Sequence, residues 1–304
     1  MKRRNHSVIR ANAVHHIYQN TPKGYLIFYS IKDYLICYSI ISVAARRYDV
    51  QILGLCLMVD HIHLVVYARD PKQLRAFVRD YTSLFTRKYN GLYGLKGSVF
   101  NTPFGSAPKI GHKKIRTAIA YLYNNPVECH LQVRAEHARW NFLAYAAEKT
   151  PFSEKLRLDY ARWELRKALK WVKDASRHHL PLEYAALDEI TRNLSPREEQ
   201  QFIDYTIRQY AFIDYAALIK YYGSYDNLVT AVNANTGSEY DMQEDTYAKD
   251  HRIYQKMITR LCGRTLLTMR EILAQPRERR VLMGRRLMAG LGASENEVKK
   301  LLRL

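Results

Sequence analysis

The sequence predicts an α+β fold: an antiparallel sheet with helices on one face, followed by a mostly α-helical C-terminal region. Three observations carry this expectation. Over the first 150 residues, segments of strand and helix periodicity follow in the order strand, helix, strand, strand, helix, with a late helix, as suits helices packed on a sheet. Residues 51–67 read as two apolar strands meeting near Asp60, and beyond residue 150 the patterning is helical. The chain has 304 residues, enough for two domains and a sizeable core.

Residues 11–20 alternate weakly and make a candidate first strand, carrying His15 and His16. Adjacent strand residues point to opposite faces, so this pair reads as incidental, or at most as facing bound DNA. Ser30, with Asp33 three residues later, opens a helix running to Arg47 in the manner of a capping box. After the two strands, Asp70-Pro71 starts another helix with proline at its favoured first position. Its stripe of Leu74, Phe77, Val78, Tyr81, Leu84 and Phe85 turns inward, leaving Arg75, Arg79, Arg87 and Lys88 for solvent or phosphate. Residues 91–114 read as a loop with five glycines, two prolines and a basic end at Lys109, Lys113 and Lys114. A helix over 113–124 follows, with Ile115, Ala118, Ile119 and Leu122 at helical spacing. Pro126 is expected to end it, because proline disfavours helical geometry in the residue before it.

Residues 1–150 thus form one expected domain and 151–235 a helical spacer. In the spacer Tyr160, Trp163, Leu165, Leu169 and Trp171, then Phe202, Tyr205, Tyr210 and Phe212, make aromatic-rich faces that read as helix core, with stacking on nucleic-acid bases as the alternative. Residues 236–250, with Glu239, Asp241, Glu244 and Asp245, read as an acidic linker. Residues 251–304 carry short helices over 269–273 and 277–290, a turn at Leu291-Gly292, and a last helix capped by Ser294 and Glu297. That helix turns Val298, Leu301 and Leu302 inward, with Lys299, Lys300 and Arg303 outside. The pattern is that of a helix-turn-helix DNA-binding domain; a small bundle with a basic solvent face is the alternative.

Charge points to a polyanionic partner. Of a net +19, residues 1–150 hold 22 Lys and Arg against 8 Asp and Glu, residues 151–250 hold 13 against 17, and residues 251–304 hold 13 against 4. Blocks of +14 and +9 therefore flank one of −4, the footprint of two nucleic-acid-binding surfaces. The longest apolar run, 34–45, is too short to span a bilayer and contains Ser39 and Ser42. Cys37, Cys56, Cys129 and Cys262 have no paired spacing, which argues against a disulfide framework or zinc knuckle. The basic start, Met-Lys-Arg-Arg-Asn-His, is followed by no apolar stretch, and the expected location is cytoplasmic.

Two motifs carry chemistry. His61 and His63 project from one face of their strand, and two adjacent imidazoles can grip one metal ion. Some sixty residues on, Tyr121 and Asn125 are four apart and share one face of a helix turn, whereas Tyr123 points elsewhere. Taken alone, the second motif is equally a packed tyrosine and a capping asparagine.

Together they resemble the single-tyrosine HUH transposases, insertion-sequence enzymes, and especially the REP-associated tyrosine transposase branch. The resemblance runs along most of residues 8–147. It includes Met58-Val-Asp-His-Ile-His-Leu64, Leu74-Arg-Ala-Phe-Val-Arg79, Tyr89-Asn90, Gly97-Ser-Val-Phe100, Phe104 and Tyr121-Leu-Tyr-Asn-Asn-Pro-Val127, then Ala138-Arg-Trp140 and Tyr145. The family often has Pro-Asn before the first histidine; here Val59-Asp60 stands there, and Asp60 reads as a turn residue or a support for a ligand.

The resemblance implies a ferredoxin-like HUH endonuclease domain with Tyr121 as nucleophile. His61, His63 and Asn125 would hold a divalent metal, Mg²⁺ or Mn²⁺, and DNA would be cleaved and rejoined through a covalent 5′-phosphotyrosine. It implies single-stranded or hairpin DNA as partner, with Lys113, Lys114 and Arg116 on its backbone, and a homodimer as one arrangement. Lys299, Lys300 and Arg303 are the DNA-binding candidates of the tail. Two other classes compete. A catalytically idle or domesticated DNA-binding regulator of hairpin repeats needs only charge and the tail. A zinc hydrolase needs a third strong ligand and a general base, which no His-Glu-x-x-His motif supplies.

Overall fold

The computed structural model describes residues 8–234 and 250–304. The basic start at residues 1–6 and nearly all of the expected acidic linker, 236–250, lie outside the described residues. The first part of the chain runs β1 (Ala13–Asn20), α1 (Ile31–Arg47), β2 (Val50–Met58), β3 (His61–Ala68), α2 (Pro71–Tyr93), β4 (Gly105–Lys109) and α3 (His112–Glu128). The four strands form one antiparallel sheet in the order β2-β3-β1-β4. The α+β architecture stands, with two corrections.

The helices divide between the two faces of the sheet. Ile17, Ile52, Leu55, Leu57, Ile62, Leu64 and Val66 pack with the apolar stripes of α1 and α2. Val14, Leu53, Cys56, Met58 and Val65 pack on the opposite side with Ala118, Ile119 and Leu122 of α3. Both faces are apolar because the central strands are covered twice, so alternation alone does not say on which side a helix lies.

The second correction is β4, which lies inside the expected loop. Gly-Ser-Ala-Pro-Lys has none of the β-branched or aromatic residues that announce a strand. Pro108 is tolerated because β4 is an edge strand, pairing only with β1. Gly105 is needed there, since a Cβ would sit 2.0 Å from the Tyr18 ring of β1.

Local signals explain the rest. Val59-Asp60 forms the two-residue turn between β2 and β3, and its Val59 carbonyl accepts from the Ile27 and Phe28 N–H groups. The Asp70 side chain caps α2 by accepting from Lys72 N–H, and Gly94 ends that helix in the left-handed region at φ 64°. Helix α3 continues past Pro126 to Glu128 instead of stopping before it. The ring sits in the last turn, where the Pro126 carbonyl still accepts from Leu131 N–H and the Asn125 carbonyl from Cys129 N–H.

The remaining helices are α4 (Trp163–Arg177), α5 (Tyr184–Thr191), α6 (Pro196–Gln209), α7 (Tyr215–Lys220), α8 (Tyr225–Asn233), α9 (Arg252–Thr265), α10 (Met269–Leu273), α11 (Arg277–Leu291) and α12 (Glu295–Leu302). Helices α4 to α6 cover α1, where Tyr38 donates to the Ile207 carbonyl. Asp214 N–H donates to the Ile52 carbonyl and closes the β2 edge, and Leu228, Val229 and Val232 of α8 pack on α3. Most of the expected aromatic core is inside, but Tyr160 and Trp163 are exposed. No helix among the described residues is long and apolar enough to cross a membrane.

Asp33, fully buried, ties three segments together. Its carboxylate accepts from the N–H groups of Tyr29 and Ser30, the Ser30 hydroxyl, and the phenols of Tyr93 on α2 and Tyr184 on α5. Burial raises its pKa to about 6, against the pull of those donors. Asp33→Ala leaves this set of donors facing a void. It is expected to cost about 3 kcal/mol of stability, seen as a lower urea midpoint at unchanged slope.

Candidate active site

The site lies between the start of β3 and the last turns of α3. Strand alternation turns His61 and His63 toward α3, and helical spacing turns Tyr121 and Asn125 toward the sheet. The four expected residues do meet. His61 Nε2 lies 3.3 Å from Asn125 Oδ1, and Asn125 Nδ2 lies 3.3 Å from His63 Nε2. The Tyr121 ring stands edge-on to the His63 ring, with centroids 5.5 Å apart. Tyr123 points away, buried, its hydroxyl donating to the Leu53 carbonyl.

Neighbours orient both imidazoles. Asp60 Oδ1 lies 2.6 Å from His61 Nδ1, so Asp60 fills both of its expected places, in the turn and beside the first histidine. The His63 Nδ1 lies 3.0 Å from His16 Nε2, and the two rings stack with centroids 5.0 Å apart and 15° between planes. Tyr121 is edge-on to His16 as well, at 5.7 Å. His16 therefore belongs to the site, contrary to its expected incidental role. The missing signal was strand order: β1 lies beside β3 with Tyr18 opposite His63 and His16 opposite Val65, which the sequence does not state.

Burial keeps His63 neutral, moving its pKa well below the usual value, with His61 and His16 adding to the shift. Burial, helped by Lys109, moves His16 to about 3. Neutral imidazoles retain the lone pair that a metal needs. Among the described residues, no cluster of three or more His, Cys, Asp or Glu is arranged to hold a metal ion. Two imidazole nitrogens and one side-chain amide meet here, the Asn125 oxygen beside His61 and its Nδ2 beside His63; with the amide turned so that its oxygen faces both, the set would suit a divalent ion of the Mn²⁺ or Mg²⁺ kind. A further residue comes from far along the chain: His251, fully buried, has its ring 6.4 Å from the His61 ring, and its backbone N–H donates to the Cys129 carbonyl just past α3. Cys37, Cys56, Cys129 and Cys262 form no disulfide among the described residues.

Residues 14–125 match the family model described as IS200-like transposase. That segment, less than half of the chain, is what is similar to the IS200-like transposases. The matched segment starts in the strand that holds His16 and ends at Asn125, so it contains His16, His61, His63, Tyr121 and Asn125 but not His251. A solved structure described as the REP-associated tyrosine transposase bound to a REP hairpin shares 16% identity, over 46% of this chain and 81% of that one, at a TM-score of 0.36. No curated protein matches the chain.

The expected DNA-binding residues fare differently. Lys113 and Lys114 are exposed on the first turn of α3, and Arg116 lies 4.8 Å over the Tyr222 ring. Lys299 is exposed and pairs with Glu295 at 2.7 Å. The Lys300 carbonyl accepts from Leu26 N–H. Arg303 does not lie outside as expected. Its Nη2 donates to the Leu26 carbonyl at 2.9 Å and the Tyr89 hydroxyl at 3.2 Å, and it stacks between Tyr25 and Tyr89. It follows α12 in the left-handed conformation, φ 53°, which swings the side chain inward. Arg303→Ala is expected to cost about 2 kcal/mol of stability, read as a lower midpoint in a urea melt.

Proposed function

We propose that this chain is a transposase that cuts and rejoins single-stranded DNA through Tyr121, in DNA transposition. The observation that carries the reading is the convergence of His61 Nε2 and His63 Nε2 on the Asn125 amide, each at 3.3 Å, beside the Tyr121 ring. The Tyr121 oxygen attacks the phosphorus of a phosphodiester. An O–P bond to tyrosine forms as the P–O3′ bond breaks, the phenolic proton leaves, and the 3′ oxygen takes up a proton. The products are a 5′-phosphotyrosine and a 3′-hydroxyl. One phosphodiester replaces another, so the reverse attack can rejoin strands without ATP.

A phenol, with a pKa of about 10, is a weak nucleophile at neutral pH without help. A divalent ion held by His61, His63 and Asn125 would stabilise the charge that builds on the phosphate. Asp60 and the protein interior hold the two imidazoles in place. Lys114 is seven residues before Tyr121 and shares its helix face, about 11 Å along the axis. With Lys113 it is suited to the backbone of the strand that reaches the tyrosine. A second contact surface is proposed for the tail, where Lys299 and Arg277, Arg279, Arg285 and Arg286 of α11 are exposed. Hairpin DNA, as bound by the REP-associated transposase, is the proposed form of the partner.

Labelled single strands from the gene's own flanks, incubated with Mn²⁺ or EDTA and run on denaturing gels, test the chemistry. A metal-dependent covalent band is expected, and Tyr121→Phe should abolish it while binding stays within about twofold; an equal band in the variant would remove Tyr121 from the nucleophile's role. Replacing Lys113 and Lys114 by Ala should weaken binding and make the log–log salt slope shallower by about 1.4, at about 0.7 per lost phosphate contact.

A further inference from the structure

His63 has one nitrogen toward Asn125 and the other toward His16, and the hydrogen bonds fix which carries the proton. The Asn125 Nδ2 group can only donate, so His63 Nε2 accepts from it. A neutral imidazole with a lone pair on Nε2 has its proton on Nδ1. Among the described residues, the hydrogen-bond partner on that side is His16 Nε2, at 3.0 Å. We infer that His16 is a positioning residue for the metal-binding reading above: it accepts from His63 Nδ1–H, fixing the tautomer and ring direction that keep the lone pair on His63 Nε2, where a divalent ion would take the place of the Asn125 amide N–H.

Three further observations bear on this. Both rings are fully buried, so no bulk water replaces the contact if it is lost. The stacking of the rings fixes His63 about its side-chain axis as well as in its tautomer. Asp60 Oδ1 lies 2.6 Å from His61 Nδ1, so each strand histidine has its inner nitrogen engaged by a neighbouring side chain. Ligand histidines elsewhere are held in this way, and losing the support typically costs 10–100-fold in metal affinity. His16 itself stays out of the ion's reach, because its Nε2 is spent on His63.

The full-length chain, its His16→Phe and its His16→Gln variants are titrated with Mn²⁺ alone, followed by the loss of free-ion electron paramagnetic resonance signal. Phenylalanine keeps the ring's shape without the acceptor, and glutamine places an acceptor oxygen at a similar reach. The expectation is a loss of about 10–100-fold in affinity for His16→Phe at an unchanged melting temperature, with recovery to within about threefold in His16→Gln. Long-range ¹H–¹⁵N spectra of the metal-free wild type should place the His63 proton on Nδ1, a measurement that stands even if the phenylalanine variant fails to fold. Wild type binding Mn²⁺ with His16→Phe binding equally well would overturn the role of His16 and leave the metal reading intact. A proton on His63 Nε2 would overturn it too. Wild type that binds no Mn²⁺ would instead overturn the metal reading on which this inference rests.

Discussion

A helix can bring an amide between two strand histidines only if its backbone lies close against the sheet. Here Gly54 sets that distance. A Cβ at this position would stand 3.2 Å from both the Leu122 side chain and the Tyr123 hydroxyl, so α3 settles where a larger residue would hold it off. The register shift in β2 between Ile52 and Gly54 places this glycine opposite Val65, on the face that also carries His61 and His63. Tyr123 then finds the Leu53 carbonyl, and the next turn of the helix places Tyr121 and Asn125 against the imidazoles. The site's ångström-scale geometry is inherited from that one close approach.

Much of this could be read in the sequence because the signals were local. The capping residues at Ser30, Asp70 and Ser294, the hairpin at Val59-Asp60, and the short helices of the tail were marked by neighbouring residues. The shared faces of His61 with His63, and of Tyr121 with Asn125, follow from strand and helix periods alone. What escaped was set by partners distant in sequence. His16 gains meaning only from the pairing of β1 with β3, β4 exists because β1 offers an edge, and Arg303 turns inward because Tyr25 and Tyr89 wait there. The side of the sheet that α3 occupies is likewise invisible where both faces are apolar.

The tail is stitched to the loop that leads from β1 into α1. Lys300 and Leu301 offer their carbonyls to Leu26 N–H and the Tyr29 phenol, and Arg303 reaches the Leu26 carbonyl in return. At the other end of this segment, His251 joins the surroundings of His61. The basic C-terminal block is therefore fastened at two places to the sheet domain, and whatever its exposed arginines contact is mechanically linked to the strands that hold the histidines.

The Asp33 carboxylate has a consequence for how such a chain can diverge. Tyr93 and Tyr184 come from helices about ninety residues apart, yet both phenols end on the same two oxygens. Loss of the acid strands both hydroxyls, and loss of either phenol leaves a buried acid short of a donor, so the energies of these three positions are coupled rather than additive. Drift at one of them closes off most choices at the other two. Positions 33, 93 and 184 should travel through related sequences as a single inherited unit, exchanged together or kept together.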